Sequence, residues 1–211
     1  MDHLPGKTIE RLSAYRRVLL NYSTKGKSYI FSHELAGLLH ITAVQVRRDV
    51  MLIGYTGLQR KGYYVMELIA RIGEVLDSRD GQKVAVVGFG YLGKAITGYF
   101  VGKRSKLDVV ASFDINTKKI DTKIKGVKCF HINSLKTVIR KKKITIAILT
   151  VPTDVAVEVT KNLVKAGIKG ILNFTTVPLN VPPGVYLEEY DMITSVEKVA
   201  FFVKKYDKAE K

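Results

Sequence analysis

The sequence holds one cysteine, Cys129, and no tryptophan among its 211 residues. A single cysteine cannot form an internal disulfide, and a chain without disulfides fits a reducing compartment. The sequence also lacks a CxxC pair and a Cys/His cluster, which are the spacings that hold structural zinc. We therefore expect no metal site and a cytoplasmic location.

Long apolar runs are also missing. The first twelve residues, MDHLPGKTIERL, lack the apolar region of a signal peptide. No run of about 18 apolar residues, the length that a membrane helix needs, occurs anywhere. Hydrophobic residues still make up 46% of the chain, which is enough for buried cores. We expect an ordered protein with no membrane partner.

Acidic residues are scarce beside basic ones. The chain carries 35 Lys and Arg against 19 Asp and Glu, a net charge of +16. A basic chain favours a polyanionic partner whose phosphates it neutralises. Lysine-rich surfaces are common, however, and the run KTVIRKKK at 136–143 is typical of a solvated helix end. Charge alone therefore does not establish nucleic-acid binding.

The N-terminal third has helical spacing. Apolar residues recur on one face of Thr8–Tyr22. A second helix, SHELAGLLH, follows with Ser32 as its predicted N-cap, and a third, TAVQVRRDVMLI, begins at Thr42. Thr42 and Gln45 fit a capping box. Two short helices at this separation predict a helix-turn-helix, in which the first helix braces the second.

A glycine-containing segment, IGYTGLQRKGYYV, comes next and predicts a hairpin or wing. An amphipathic helix is expected over Val65–Ser78, and Arg79-Asp80-Gly81 is a candidate boundary. We predict three segments: a winged-helix domain over 1–80, a dinucleotide-binding domain over 81–190 and a C-terminal helix within 191–211.

From Lys83 onward the pattern changes to short β-branched runs alternating with helical stretches. The predicted strands are KVAVVG, DVVASFD, ITIAILTV and GILNF, with KGVKCFH as a weaker fifth. Such alternation predicts a doubly wound parallel sheet with helices on both faces, the Rossmann-like α/β class.

A glycine motif follows the first of these strands and opens a helix. It comprises Gly88, Phe89, Gly90, Tyr91, Leu92 and Gly93. The first glycine permits a tight turn, the second admits a pyrophosphate and the third lets helix and strand pack closely. Asp114 lies 21 residues after Gly93, where a carboxylate accepts hydrogen bonds from a ribose diol and favours NAD(H). Lys118 and Lys119 leave the preference over NADP(H) open, and a ligand-free turn is the alternative.

Two further strand ends fall where open α/β sheets place ligands. They are Thr150-Val151-Pro152 and Asn173-Phe174. Both are candidates to line the nicotinamide half of the coenzyme. The alternative is that both are ordinary strand ends with buried apolar residues.

The sequence offers little catalytic machinery. We find no Ser/His/Asp set, no paired carboxylates at a strand end and no second domain for a substrate, and His131 fits a surface turn. We expect a sensor and no enzyme. Two alternatives stay open: an NAD-dependent oxidoreductase, or a CoA- or nucleotide-binding subunit, each with an N-terminal accessory module.

Several separated motifs bear on the family: SHELAGLLHITAVQVRRDV, VGFGYLGKAI, FDINTKKI, LTVPTDVAVEV and LVKAGIKGILNFTTVPLNVPPGVYLEEYDM. In these the chain resembles the Rex redox-sensing transcriptional repressors of bacteria, over nearly its whole length. The resemblance implies a homodimer whose C-terminal helices are exchanged, which suits the broad apolar face of 192–206. It further implies that NAD⁺ permits binding to palindromic operator DNA and that NADH releases it.

The resemblance and the helix-turn-helix together nominate DNA-contacting residues. The helix Thr42–Ile53 is expected in the major groove, since arginine pairs bidentately with guanine. The candidates are Lys27, Ser32, Thr42, Gln45, Arg47, Arg48, Arg60 and Lys61. The resemblance also implies a switch relay among Arg47, Tyr99 and Asp191, with plain core packing as the alternative for Tyr99.

The chain departs from the family pattern in two places. The wing has Ile53 and Thr56 in place of aromatic residues, and Arg60 where a glycine is usual. The usual NFAP reads Asn173-Phe174-Thr175-Thr176 here. These departures fit a divergent paralogue with altered operator or nicotinamide recognition.

Overall fold

The computed structural model describes residues 4–101 and 106–209, with side chains described as far as 206. The chain divides into two compact units, Met1–Arg79 and Asp80–Lys211. The ends of the predicted outer segments, 1–3 and 210–211, lie outside the described residues. The assignment of 1–80, 81–190 and 191–211 to separate roles stays a prediction.

The first unit is mainly helical. Its elements are α1 (Gly6–Ser23), β1 (Tyr29–Ile30), α2 (Ser32–Leu39), α3 (Ala43–Leu52), β2 (Tyr63–Tyr64) and α4 (Val65–Leu76). Its core is built from apolar residues at three- and four-residue spacing, because such residues share one helix face. The fully buried members are Leu12, Tyr15, Leu19, Ile30, Leu35, Val46, Ile53, Val65, Leu68 and Ile72.

The helix-turn-helix is present, but its first cap differs from the prediction. Ser32 was expected as the N-cap of α2, whereas Phe31 occupies that position and Ser32 is the first helical residue. The Glu34 carboxylate accepts a 2.7 Å hydrogen bond from the Phe31 N–H, which ties the N-cap residue to the first turn of the helix. At α3 the Thr42 hydroxyl accepts from the Gln45 N–H at 3.2 Å, which is one half of the predicted capping box.

The wing is smaller than a full hairpin. β1 and β2 pair antiparallel, with Tyr29 opposite Tyr64, and a single bridge joins Leu58 to Gly62 at the wing. The strand partner therefore comes from before the helix-turn-helix. Arg60 adopts φ +64°, in the left-handed region that glycine occupies most readily. This conformation explains why a glycine is the usual residue at that position.

The second unit is an α/β sandwich. Its strands are β3 (Gln82–Val87), β4 (Leu107–Asp114), β5 (Lys123–Ile124), β6 (Val127–His131), β7 (Ile144–Leu149), β8 (Gly170–Asn173) and β9 (Tyr186–Glu189). Its helices are α5 (Tyr91–Phe100), α6 (Leu135–Lys142), α7 (Thr153–Ala166) and α8 (Met192–Ala209).

These strands form one sheet in the order β5-β6-β4-β3-β7-β8-β9. All neighbours pair parallel except β5, which is antiparallel to β6 at one edge. β3 and β7 are buried on both faces, because helices cover each side. One core joins the sheet to α6 and α7, through Leu135, Ile139, Ala156 and Leu163. A smaller one joins the other face to Ile96 of α5.

Two strands of this sheet were not predicted, β5 and β9. The other strands and the parallel α/β arrangement confirm the predicted fold class. The C-terminal helix α8 also lies where it was predicted. Every side chain described from Met192 to Tyr206 is exposed, so the apolar face of α8 is not covered by its own chain.

Candidate nucleotide-binding cleft and nucleic-acid surface

The glycine loop lies between β3 and α5 and is shaped by close backbone contacts. Gly88 has φ +97°, and a Cβ built on it would meet the Thr150 carbonyl oxygen at 2.5 Å. A Cβ on Gly93 would collide with the Gly88 carbonyl oxygen. Both positions therefore exclude a side chain for reasons internal to the fold.

Gly90 is different. A Cβ built on Gly90 would meet nothing within 4 Å, and Gly90 is the N-cap of α5 with no side-chain cap. The free N–H groups of the first turn and the positive end of the helix dipole face this open space. The fold does not require a glycine here, but a phosphate approaching the backbone does. The loop therefore fits a dinucleotide pyrophosphate.

Asp114 ends β4 beside this loop and is almost fully buried. Oδ2 accepts hydrogen bonds from the Phe89 N–H and from Lys119 Nζ, both at 2.8 Å. Oδ1 accepts from the Asn116 N–H at 2.8 Å. Burial alone raises the pKa of Asp114, but Lys119 and the backbone donors outweigh it, so the pKa lies below its ordinary value. A charged carboxylate stands where ribose hydroxyls would be recognised.

A cleft of about 660 Å³ opens between the carboxyl end of β4 and the helices α6 and α7. Of the predicted coenzyme residues, Gly88, Asp114, Val151 and Pro152 line it. Sequence reasoning missed the remaining wall, which includes Ile115, Ile132, Asn133, Leu135, Val155, Glu158 and Asn162. Ile115 and Ile132 each directly follow a strand end, and that position is the signal that would have found them.

The other predicted loop residues divide by exposure. Phe89 is fully buried, whereas Tyr91 is 98% exposed and Leu92 is partly exposed at the start of α5. Thr150 anchors the loop, because its hydroxyl contacts the carbonyl oxygens of Gly88 at 2.7 Å and Val87 at 3.1 Å. These four residues do not line the cleft; they build or flank the loop above it.

Asn173 and Phe174 lie at the same sheet edge as the loop, since Leu149 pairs in register with Asn173. The Asn173 side chain is held on both sides: Oδ1 accepts from Thr175 N–H at 2.9 Å and Thr175 Oγ1 at 2.7 Å, and Nδ2 donates to Val177 O at 2.9 Å. Phe174 packs its ring 5.1 Å from that of Tyr190. Thr175 therefore fixes the orientation of the Asn173 amide.

The helix α3 presents its basic residues to solvent. Arg47 and Arg48 are exposed and Gln45 is half-buried. Arg47 Nη1 donates a 3.1 Å hydrogen bond to Ser32 Oγ, which joins the two helices of the motif. Thr42 is exposed at the start of α3. Five of the predicted DNA-contacting residues therefore lie within the helix-turn-helix: Ser32, Thr42, Gln45, Arg47 and Arg48.

The opposite face of α3 is anchored by an ion pair between buried Asp49 and partly exposed Arg11. The Asp49 carboxylate accepts from Arg11 Nε at 2.6 Å, from Arg11 Nη2 at 2.8 Å and from the Tyr15 hydroxyl at 2.6 Å. Burial raises the pKa of Asp49, but the hydrogen bonds from Arg11 and Tyr15 outweigh it, so the pKa lies below its ordinary value. The pair fixes α3 to α1.

The remaining basic candidates flank this motif. Lys27 Nζ lies 5.1 Å from the ring centroid of Tyr22, and Lys61 Nζ lies 6.0 Å from that of Tyr29. Arg60 and Lys61 are exposed in the wing. Cations over aromatic faces are held in place while their charge stays accessible.

The three relay residues are accessible within their own units. Tyr99 is 61% exposed on α5, which contradicts the alternative of core packing. Asp191 caps α8, accepting from the Thr194 hydroxyl at 2.6 Å and from the Ile193 N–H at 2.8 Å. Hydrogen bonds from Thr194 lower the pKa of Asp191. The relay itself stays a prediction.

Within 4–101 and 106–209, no group of three or more His, Cys, Asp or Glu side chains is placed to hold a metal ion. No helix in that part of the chain has both the length and the apolar character to cross a membrane.

The fold defines a two-unit class, in which a winged helix-turn-helix precedes a Rossmann sheet. Residues 3–50 match the family described as putative DNA-binding protein N-terminus, and residues 79–177 match the CoA binding domain family. The redox-sensing transcriptional repressor Rex of Bacillus licheniformis is 36% identical over 213 residues, covering 100% of this chain and 99% of that protein. Rex of Oenococcus oeni is 37% identical over 209 residues, covering 97% and 95%.

Solved structures agree. A crystal structure of RSP in complex with β-NAD⁺ and operator DNA is similar with a TM-score of 0.90 and 31% identity, covering 100% of this chain and 97% of that chain. RSP in complex with β-NADH is similar with a TM-score of 0.86 and 30% identity, covering 100% and 99%. The chain belongs to the Rex family of redox-sensing transcriptional repressors.

Proposed function

We propose that this chain is a transcriptional repressor that senses the NADH/NAD⁺ ratio. It binds palindromic operator DNA when NADH is low, and NADH releases it. The observation that carries the proposal is the open space over Gly90, beside a charged Asp114, on a chain that also presents Arg47 and Arg48 from a helix-turn-helix. RSP, which is similar over its full length, binds β-NAD⁺ with operator DNA and also binds β-NADH.

The coenzyme site uses the loop and the strand ends. The backbone of Gly88 and Gly90 with the first turn of α5 holds the pyrophosphate, and Asp114 accepts the ribose hydroxyls. The cleft walled by Ile115, Ile132 and Val155 takes the adenine, because these side chains are apolar. Asn173 and Phe174 border the nicotinamide. When bound, the coenzyme supplies a ring whose charge and planarity differ between its two redox forms.

The DNA site uses the exposed face of α3. Gln45, Arg47 and Arg48 contact bases and phosphates of the major groove. Lys27, Arg60 and Lys61 contact phosphates or the adjacent minor groove. The Asp49 anchor holds α3 at a fixed orientation, so that the side chains on its other face reach the groove in register.

A homodimer completes the molecule. Ile193, Val196, Val199 and Val203 are each more than half exposed on α8, and a second copy of this chain covers that apolar stripe. Two chains place two copies of α3 on the half-sites of a palindrome, about one DNA turn or a multiple apart. Analytical ultracentrifugation of Val199→Asp tests this, with Lys198→Asp, which lies outside the apolar stripe, as the control. The first variant is expected to be monomeric and the second dimeric.

The switch requires the two coenzyme forms to differ in affinity for the two states of the dimer. Moving the dimer from mostly bound to mostly free takes roughly 2–5 kcal/mol of differential binding. Arg47, Tyr99 and Asp191 form the relay that couples the sites by exchanging partners. Asp191 can exchange partners in this relay because its carboxylate lies exposed at the start of α8.

The protein acts without turnover of its coenzyme. An NAD-dependent oxidoreductase would consume NADH in the presence of small carbonyl substrates, whereas we expect no absorbance change at 340 nm beyond the blank. The match of residues 79–177 to the CoA binding domain family favours CoA as a second candidate ligand. Competition between NADH and CoA on the purified protein separates the two, and we expect CoA not to displace NADH.

The central experiment selects duplexes from a random palindromic library with the purified dimer, then measures their binding with NADH, with NAD⁺ and with neither. We expect one palindromic consensus, retained with NAD⁺ and released by NADH. Gly90→Ala serves as the matched control, since it blocks the phosphate approach without a clash in the fold. The proposal fails if no duplex is enriched, or if NADH leaves the enriched complexes intact.

A further inference from the structure

Basic side chains line one edge of the Rossmann sheet. In parallel strands all amino ends lie at one edge and all carboxyl ends at the other. Four adjacent strands each have a lysine at or just before the amino end: Lys106 before β4, Lys83 in β3, Lys143 before β7 and Lys169 before β8. We call these four residues the amino-edge lysines.

The strand register places these lysines side by side. Gln82 pairs with Leu107, Lys83 pairs with Ile144, and Gly170 pairs with Ile146. Neighbouring strands are about 4.8 Å apart, so four strands span roughly 14 Å. That length matches several phosphates, since duplex DNA carries one charge per roughly 3.4 Å on each strand.

The charge at this edge is accessible. Lys83, Lys143 and Lys169 are exposed and make no ion pair among the described residues. The last turn of α6 adds Arg140, Lys141 and Lys142. Two exposed acids stand beside this row: Asp108, which pairs in register with Lys83, and Asp80, two residues before β3. Favourable interaction with the C-terminal end of the helix dipole accounts for the α6 residues, but not for lysines that begin strands.

The opposite edge carries both signs of charge. The carboxyl ends of β4 and β9 carry Asp114 and Glu189, Lys119 pairs with Asp114, and the cleft there is lined by Asp154, Glu158, Lys136 and Lys165. The sheet is therefore mainly basic at its amino edge and mixed in charge at its coenzyme edge.

We propose that the amino-edge lysines form a second DNA-contacting surface, which binds the phosphate backbone of the same duplex without reading its sequence. This inference rests on the proposed function, since it adds a contact to the DNA that α3 reads. The partner is duplex DNA because a regular row of lysines that outnumbers the acids beside it matches a regular row of phosphates. The surface tightens all complexes equally and leaves the choice of operator to α3.

The test compares two double variants in the full-length protein. Lys83→Gln/Lys169→Gln removes two amino-edge charges. Lys123→Gln/Lys161→Gln removes two exposed charges that are not amino-edge lysines, one in the antiparallel strand β5 and one in α7. Dissociation constants are measured between 50 and 300 mM salt for the selected operator and for a scrambled duplex. Four charges lost per dimer should lower the slope of log affinity against log salt by about 3 to 4, and weaken both duplexes at least about tenfold at 0.1 M salt.

The control pair should leave both slopes within error of the wild type. NADH titration and thermal unfolding show that the variants are folded, and both properties are expected unchanged. An unchanged slope in Lys83→Gln/Lys169→Gln overturns the inference, as does a loss confined to the operator. If the wild type itself shows no NADH-sensitive operator binding, the proposed function fails instead, so the two failures are distinguishable.

Discussion

The backbone N–H of Phe89 donates a hydrogen bond to Oδ2 of Asp114, with 2.8 Å between the two atoms. This bond ties the glycine loop to the end of β4. It also means that Asp114 has a structural partner in addition to any ribose. A substitution at Asp114 must therefore be chosen so that loss of coenzyme contact is separated from loss of loop geometry.

Asp114→Asn keeps an acceptor for Phe89 but removes the charge. Hydrogen bonds to a charged group are worth about 1–1.5 kcal/mol more than neutral ones, so NADH affinity should fall about tenfold. NADH fluorescence titration measures this, and NADH should release operator DNA only at correspondingly higher concentration. Asp114→Ala should fall further, because it also leaves the Phe89 N–H unpaired. If NADH releases operator DNA from both variants as it does from the wild type, the ribose role of Asp114 is refuted. The control is Asp121→Asn, which changes an exposed carboxylate.

The glycine loop provides a matched pair of substitutions. Gly93→Ala places a methyl group against the Gly88 carbonyl oxygen, whereas Gly90→Ala places one in open space. We expect Gly93→Ala to lower the melting temperature of the protein. Gly90→Ala should leave the melting temperature within a degree or two and reduce NADH affinity by at least about tenfold, because its methyl group occupies the phosphate approach. Normal NADH binding by Gly90→Ala would show that no phosphate binds there.

The Asp49 anchor should dominate the stability of the first unit. Asp49→Ala leaves the Arg11 charge and the Tyr15 hydroxyl without their partner in a nearly buried site, which destabilises by about 3 kcal/mol. Urea unfolding followed by circular dichroism measures the loss. Tyr15→Phe should cost about 1 kcal/mol, because one hydrogen bond is removed. Exposed Glu10→Ala is the control, and a similar loss there would contradict the assignment.

The same carboxylate predicts a pH dependence. The folded pKa of Asp49 lies below its unfolded value, which is about 3.9, so the unfolded state binds the proton more readily. The stabilisation is complete above the unfolded pKa and is lost as pH falls through the folded pKa. The urea concentration at the unfolding midpoint, measured from pH 6 down to pH 3, should therefore decrease once the pH is below about 4. Asp49→Asn should flatten that decline, and an identical decline in the variant would rule out this origin.

Arginines on α3 should govern operator affinity. Arg48→Ala removes an exposed guanidinium and should weaken operator binding by 1–3 kcal/mol if it pairs with a base. Gel-shift titration against single-base operator variants shows whether discrimination at one position relaxes. Lys7→Ala removes one exposed charge from the start of α1 and serves as the control. Equal losses in the two variants would assign Arg48 to general electrostatics.

Long periodic segments were predictable from the sequence, whereas short strands and pairings between distant parts of the chain were not. α1, α4 and α7 show an apolar stripe over several turns, and β3 and β7 are continuous apolar runs, so local pattern alone predicts them. β5 and β9 have two and four residues, too short for a period to stand out. β2 pairs with β1 across the whole helix-turn-helix, which no local pattern encodes.

Side-chain detail at the candidate site was only partly accessible from sequence. The spacing of Gly93 and Asp114 predicts that both lie at the same edge of the sheet, because the carboxyl ends of parallel strands meet at one edge. The Lys119 contact to Asp114 and the Thr175 lock on Asn173 depend on loop conformation after each strand. At α2, Phe31 takes the N-cap position with its N–H bound to Glu34, and the Ser32 hydroxyl accepts from Arg47 instead of capping the helix.

The uncovered face of α8 has a consequence for gene dosage. A helix whose apolar side chains are exposed on its own chain is stabilised by association, so stability and assembly are linked to the amount of protein present. At protein concentrations well below the dissociation constant of the dimer, the concentration of paired chains varies with the square of total protein. Halving expression would then reduce the operator-competent species fourfold, so the threshold of repression would respond to synthesis rate as well as to cellular redox state.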